Sequence, residues 1–376
     1  MLRILLTGGG TGGHVNPAIA IADTVKMNQP DAQIAFVGTR TGKENDLVPR
    51  AGYPLYYVES MGIRRSLSLS NLKAIYLAVT SPYSKKTTAI LRDFDPDVVI
   101  GTGGYVCWPI LKAASRFGIP TVVHESNCLP GLAVRRLQGC VESILLNYPE
   151  SKDLLKVPEK CAVVGNPLVG GFGNVDRSAA RRSLGLGEGN RLVLCYAGSI
   201  GSSTVNMAVL QMLSSLAGRY PETRFLLSTG ARNYEEAEEM CRQLHLSETS
   251  NVKIQPYIYD MPIQMAAADI VISRAGAMSL SELARMGKAA VIVPSPYVAD
   301  NHQYRNAKAL ADKEAALLVQ EKDFSAGALT EAVEDLLKNQ SHREALSRNI
   351  RAFAVDDANR RIYEKIVTMA AEYRSH

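Results

Sequence analysis

Arg3-Ile4-Leu5-Leu6-Thr7-Gly8-Gly9-Gly10-Thr11-Gly12-Gly13-His14 stands near the start of the chain, and its reading decides the fold. Arg3–Thr7 is a short apolar run of the kind buried in a parallel sheet. Residues 8–13 then put five glycines in six positions, and Pro17–Met27 carries a helical pattern. Strand, glycine-rich turn and helix open a parallel α/β unit. Glycine lets a backbone approach a phosphate or sugar closely, and a helix N-terminus favours negative charge. A bare turn needs fewer glycines. The spacing departs from the dinucleotide fingerprint with its paired acid, and no Gly-Lys-Ser/Thr follows to make a P-loop. His14 ends the loop. An imidazole there suits either of two tasks, taking a proton from an acceptor hydroxyl or ordering the loop by hydrogen bonds.

The same unit recurs. Strands are expected at Gln33–Gly38, Val98–Gly101, Thr121–His124 and Cys161–Gly165, with amphipathic segments such as Asn71–Arg92 between them. The pattern restarts with a strand at Arg191–Ala197, a Gly/Ser loop and a helical stretch Val205–Gly218. Further strands are expected at Arg224–Ser228, Val252–Gln255, Ile270–Ser273 and Ala289–Pro294. Such alternation argues for parallel α/β sheets. The glycine-rich Leu168–Val175 reads as a linker. The expectation is two Rossmann-like parallel-sheet domains, residues 1–165 and 166–340, facing across a cleft lined by C-terminal strand ends. Helices over 341–376 are expected to pack back toward the first domain.

Apolar residues make up 46% and charged residues 21%, an ordinary globular balance. The six cysteines form no CxxC pair and no His is spaced to complete a zinc site, which points to free thiols in a reducing compartment. Met1–Thr7 reads as a strand and not a signal peptide. No run reaches the roughly 18 apolar residues of a spanning helix. Residues 1–164 hold 18 Lys+Arg and 13 Asp+Glu, whereas the rest holds 24 of each. The whole positive excess therefore lies in the first half, which suits an acidic partner such as an anionic lipid surface. Absence of a basic-aromatic stripe argues against nucleic acid.

Four more constellations follow strand ends. Gly101-Thr102-Gly103-Gly104-Tyr105 is a second glycine-rich loop on the same sheet edge as the first. His124-Glu125-Ser126-Asn127 is a polar cluster where a plain turn would tolerate any residue. Gly198-Ser199-Ile200-Gly201-Ser202-Ser203 offers amides at a helix start, which suit a pyrophosphate. In Ser273-Arg274-Ala275-Gly276-Ala277-Met278-Ser279-Leu280-Ser281-Glu282 a carboxylate falls in the first turns of a helix. Glu282 there can take both ribose hydroxyls of a nucleotide, or simply complement the helix dipole. A dense polar run, Asp300–Asn306, follows the last strand.

In this order the motifs resemble the UDP-N-acetylglucosamine transferases that act on lipid-linked muramyl-pentapeptide, enzymes of the GT-B fold. The resemblance runs from Thr7 to about Asn306 and includes Gly165-Asn166-Pro167. It implies inverting transfer of GlcNAc from UDP-GlcNAc to the C4 hydroxyl of undecaprenyl-diphosphate-MurNAc-pentapeptide, in peptidoglycan synthesis. It implies His14 or Glu125 as the base, and an acceptor side lined by Thr11, Gly12, Gly13, Gly104, Tyr105 and Asn127. On the donor side it implies Ser199 at the diphosphate, Ile258 beside the uracil, and Ala277, Met278 and Ser279 along the phosphate loop. Glu282 would grip the ribose, with His302 and Gln303 at the sugar. The resemblance also implies a mechanism free of metal and cofactor. Departures from the usual pattern are Leu168-Val169, Gly201-Ser202, Cys107-Trp108-Pro109 and His302.

The segment Leu67–Arg92 mixes Leu72, Ile75, Tyr76 and Val79 with Lys73, Lys85, Lys86 and Arg92, which suits either a core-facing helix or a bilayer surface. With the lipid acceptor implied by the resemblance, the expectation is a peripheral protein on the cytoplasmic face of the membrane, with cell-wall and division proteins as partners. Competing readings are a sibling transferase using diacylglycerol or another lipid, a catalytically silent nucleotide-sugar binder, and a UDP-GlcNAc epimerase.

Overall fold

Ile4 and Leu6 pack on one side of a sheet and Leu5 on the other, all three fully buried. This is the period-two alternation of a strand covered on both faces. The computed structural model describes residues 1–62, 69–198 and 201–375. Its first sheet contains β1 (Arg3–Thr7), β2 (Gln33–Gly38), β3 (Leu55–Tyr57), β4 (Val98–Gly101), β5 (Thr121–Glu125), β6 (Ser143–Leu146) and β7 (Cys161–Val163). Their order is β3-β2-β1-β4-β5-β6-β7, with every pairing parallel. The second sheet contains β8 (Arg191–Tyr196), β9 (Thr223–Ser228), β10 (Val252–Gln255), β11 (Ile270–Ser273), β12 (Ala289–Ile292) and β13 (Leu317–Leu318). It is also all parallel, in the order β10-β9-β8-β11-β12-β13. In both, the order reverses beside the first strand, the switch point at which open α/β sheets bind ligands.

The chain forms two compact units, residues 1–170 with 355–376, and residues 171–354. The first boundary falls five residues beyond the expected 165/166 and inside the glycine-rich linker. The C-terminal helices do not travel together as expected. Helix Gln340–Arg351 stays in the second unit, where Leu346 and Ile350 are buried. Helix Ala358–Arg374 belongs to the first, where Ile362, Ile366, Met369 and Ala370 complete the core beside helix Gly12–Asn28. Asn359 fastens it, donating from Nδ2 to Thr24 Oγ1 and to Leu168 O, both at 2.9 Å.

Two elements differ from the sequence reading for identifiable reasons. The first helix begins at Gly12, a full turn before Pro17, because tertiary hydrogen bonds fix a glycine segment of low intrinsic helicity. The single helix expected over Asn71–Arg92 is broken at Ser81-Pro82 into helices Leu69–Thr80 and Lys85–Phe94. Proline lacks the N–H and disfavours helical backbone before it. Ser84 restarts the helix by accepting the Thr87 N–H at 3.1 Å.

Candidate functional site

In the first unit the two glycine loops interlock at the ends of β1 and β4. Thr102 N–H donates to Thr7 O at 2.9 Å, and Thr102 Oγ1 donates to His14 O at 2.6 Å. Gly8 must be glycine because a Cβ there would stand 2.1 Å from Thr102 Oγ1. The His14 ring lies against the second loop: a Cβ on Gly103 would come within 2.7 Å of its Cδ2, and one on Gly104 within 3.1 Å of its Nδ1. Nδ1 lies 3.2 Å from Gly9 O and 3.4 Å from Thr11 Oγ1. Thr11 is the N-cap of helix Gly12–Asn28, which places Gly12, Gly13 and His14 in its first turn, with the His14 N–H donating to Thr11 O at 3.1 Å. Tyr105 packs its ring against Gly10, and its carbonyl accepts from Ser60 Oγ at 2.9 Å. His14, Thr11, Gly12, Gly13, Gly104 and Tyr105 are thus gathered at one edge of one sheet.

Glu125 and Asn127 form a second group at the end of β5. Glu125 Oε1 accepts from Asn127 N–H at 2.9 Å and Asn127 Nδ2 at 3.1 Å, while Oε2 accepts from Gly131 N–H at 2.7 Å. Burial raises the Glu125 carboxyl above the usual range, and the Gly131 and Asn127 donors pull it back. His124, in the same motif, faces the protein interior. It is wholly buried, its Nε2–H donates to Gly165 O at 2.9 Å, and burial lowers it to about 4. It is therefore a neutral packing residue at physiological pH.

Two departures from the usual pattern have structural explanations. Cys107 is buried, its thiol donates to Thr7 O or Gly103 O, and its sulfur accepts from Gly103 N–H. Burial pushes this thiol up to about 12, so it is no nucleophile at neutral pH. Trp108 donates its indole N–H to Ala78 O at 2.6 Å and so anchors helix Leu69–Thr80.

In the second unit, helix Ala277–Met286 follows β11 with Gly276 as N-cap, no acidic residue in its first turn, and Ala277, Met278 and Ser279 at its start. A helix N-terminus of this kind favours negative charge nearby. Glu282, one turn on, keeps part of its surface open, yet loss of water around the carboxyl pushes it up to about 8. Ile258 lies in the loop after β10 with its side chain in the core, so what it can offer a base is main chain. His302 and Gln303 begin helix His302–Ala311 after two left-handed residues, Asp300 and Asn301. Gln303 Oε1 accepts Ser295 N–H at 2.9 Å, which fixes the carboxamide and leaves its NH2 for another acceptor. Ser199 lies outside the described residues. Beyond it, Ser202 caps helix Ser203–Leu216 and accepts from Arg274 Nη2 at 2.8 Å, which explains serine at that departure. Arg274 is buried and paired to Glu321 at 2.5 Å, so it braces the loop from within.

Glu44, Thr102 and Glu321 carry weight that the motif reading did not assign. The signal for Glu44 was available, since glycines at 38 and 42 bracket a turn after β2 and make room for its carboxylate. Among the described residues no group of three or more His, Cys, Asp or Glu is set to hold a metal.

Residues 4–146 match the glycosyltransferase family 28 N-terminal domain, and residues 192–362 match the glycosyltransferase family 28 C-terminal domain. A UDP-N-acetylglucosamine--N-acetylmuramyl-(pentapeptide) pyrophosphoryl-undecaprenol N-acetylglucosamine transferase of Caldanaerobacter subterraneus subsp. tengcongensis is 39% identical, over 98% of this chain and 100% of its own. A transferase of the same name from Acetivibrio thermocellus is 36% identical, over 97% of each. The crystal structure of Acinetobacter baumannii MurG superposes with a TM-score of 0.74 at 26% identity, over 98% of this chain and 100% of that one. A UDP-GlcNAc 2-epimerase from Neisseria meningitidis reaches a TM-score of 0.67 over 98% of this chain and 100% of its own, at 16% identity, a likeness of fold alone. The chain belongs to the family of these transferases and is a glycosyltransferase of the GT-B fold.

Proposed function

From this membership we propose that the chain transfers N-acetylglucosamine from UDP-GlcNAc to the C4 hydroxyl of undecaprenyl-diphosphate-MurNAc-pentapeptide, with inversion at C1. The reading rests above all on the full-length match to transferases named for that reaction. The site geometry supports it. His14, held at Nδ1 by Gly9 O, takes the proton of the acceptor hydroxyl as that oxygen attacks C1 and UDP departs. Gly12, Gly13 and Gly104 amides with Thr11 receive the acceptor's diphosphate, and Tyr105 and Asn127 flank it. Glu125 is spent on three donors and serves to hold its loop. On the donor side, main chain at Ile258 meets the uracil, Ser199 and the amides of residues 277–279 stabilise the departing diphosphate, and Glu282 takes the ribose hydroxyls. His302 and Gln303 meet the sugar.

The protein works at the cytoplasmic face of the membrane without crossing it. Among the described residues no helix is long and apolar enough to span. Leu72, Ile75, Tyr76 and Val79 form one stripe of helix Leu69–Thr80, each between 50 and 65% exposed, with Lys73, Lys85 and Lys86 exposed beside it. Such a stripe suits insertion at an anionic interface. Contacts to other cell-wall and division proteins would use the same membrane location. The test of the reaction is transfer of labelled GlcNAc into a lipid-extractable product. Label should enter a muramyl-pentapeptide lipid and not diacylglycerol; the reverse would replace this reading with the sibling one.

A further inference from the structure

Glu44 opens helix Glu44–Arg50 and is only 1% exposed. Its Oε1 accepts from Thr39 N–H and Thr39 Oγ1, each at 2.9 Å, and its Oε2 accepts from Gly10 N–H at 2.9 Å. The backbone is shaped around this carboxylate. A Cβ on Gly9 would stand 2.7 Å from Oε1, one on Gly42 1.9 Å from Oε2, and one on Gly38 2.5 Å from Cγ.

The N–H that Glu44 holds and the carbonyl that His14 meets belong to one peptide unit. Gly10 N–H points to Glu44, and the other end of that unit, Gly9 O, lies 3.2 Å from His14 Nδ1. A carbonyl oxygen only accepts, so Nδ1 carries the proton in this contact, and in the neutral ring Nε2 is the nitrogen with a lone pair. Thr11 Oγ1 can donate or accept and selects neither tautomer. A carboxylate at the N–H end polarises the peptide and makes its carbonyl a stronger acceptor.

We propose that Glu44 is a positioning residue that sets the tautomer and orientation of His14 through the Gly9–Gly10 peptide. The arrangement does the work of the carboxylate that orients a catalytic imidazole, with one peptide bond inserted between them. It rests on the reading of His14 as the base.

The experiment uses the full chain labelled with 15N-histidine, with His14 assigned by the signals lost in His14→Ala. Wild-type His14 should show its neutral proton on Nδ1, and Glu44→Gln should lose that preference, because one amide cannot accept from both Gly10 and Thr39. Glu44→Gln should lower kcat by about 10- to 100-fold with KM for UDP-GlcNAc changed by less than about twofold, and should add less than about twofold in a His14→Ala background. A wild-type proton on Nε2, an unchanged tautomer in Glu44→Gln, or losses that multiply in the double variant would overturn the proposal. If Glu44→Gln does not fold, Thr39→Val keeps the carboxylate and the Gly10 bond. It should then retain the Nδ1 proton, and a shift to Nε2 would count against the idea. Failure of the base reading looks different: His14→Ala would keep wild-type turnover, while the tautomer spectra would still decide the role of Glu44.

Discussion

His124 and Glu282 show how burial divides residues that look alike in a motif. The imidazole of His124 is held neutral in the fold, at about 4 against 6.5 in the open chain. Between those values the unfolded chain binds a proton that the folded chain does not, so stability rises with pH across the window and levels off above it. The full span is worth about 3 kcal/mol. Urea unfolding followed between acid and neutral pH should show this slope, and His124→Gln should lose that share of it. The Glu282 carboxyl is shifted the other way, up to about 8. A carboxylate is needed to accept two ribose hydroxyls, so UDP binding should release a proton at neutral pH. Affinity should then tighten by up to about tenfold per pH unit as the pH approaches that value. Calorimetry in buffers of different ionisation heat reads the proton directly, and Glu282→Gln should abolish both effects. At this scale the glycines, His14 and Glu282 were legible because their residue types are unusual after a strand. Glu44 left only the glycines at 38 and 42 as a mark, because its partners at Gly10 and Thr39 come together only in the fold.

Helix Leu69–Thr80 carries the clearest prediction for a single element. Ile75→Glu with Val79→Glu places two charges on a face already open to solvent, so folding should be little changed. Binding to vesicles rich in anionic lipid should fall by roughly tenfold or more, and wild-type binding should weaken with salt. Equal co-sedimentation of the variant would assign the stripe another use. The strands β1, β2, β4, β8 and β11 could be read from the chain because strands buried on both faces spell continuous apolar runs. The edge strands β3 and β13 could not, having three and two residues. Helix boundaries failed where tertiary contacts outweighed propensity, as at Gly12, or where a proline split one apolar pattern, as at Pro82.

For the molecule as a whole, the strand–helix rhythm and the linker gave two parallel-sheet units, yet sequence order hid one connection. The last helix serves the first unit, more than 250 residues beyond β1 and β4 of the core it completes. Ile366 is fully buried there, so Ile366→Ala should destabilise the first unit by about 2–5 kcal/mol and leave unfolding of the second nearly unchanged. Scanning calorimetry with UDP present to mark the second transition would separate them. The departures at Cys107 and Trp108, which motivate the reading with a different lipid acceptor, and the one at Ser202 are occupied in holding loops and helices together. The epimerase structures share the same fold, so architecture does not separate epimerisation from transfer.

Release of UDP from UDP-GlcNAc, measured with and without a soluble lipid-linked muramyl-pentapeptide analogue, separates them most directly. Transfer predicts release that depends on the acceptor and falls by about 100-fold or more in His14→Ala. Release of UDP at the same rate with no acceptor present would contradict the account.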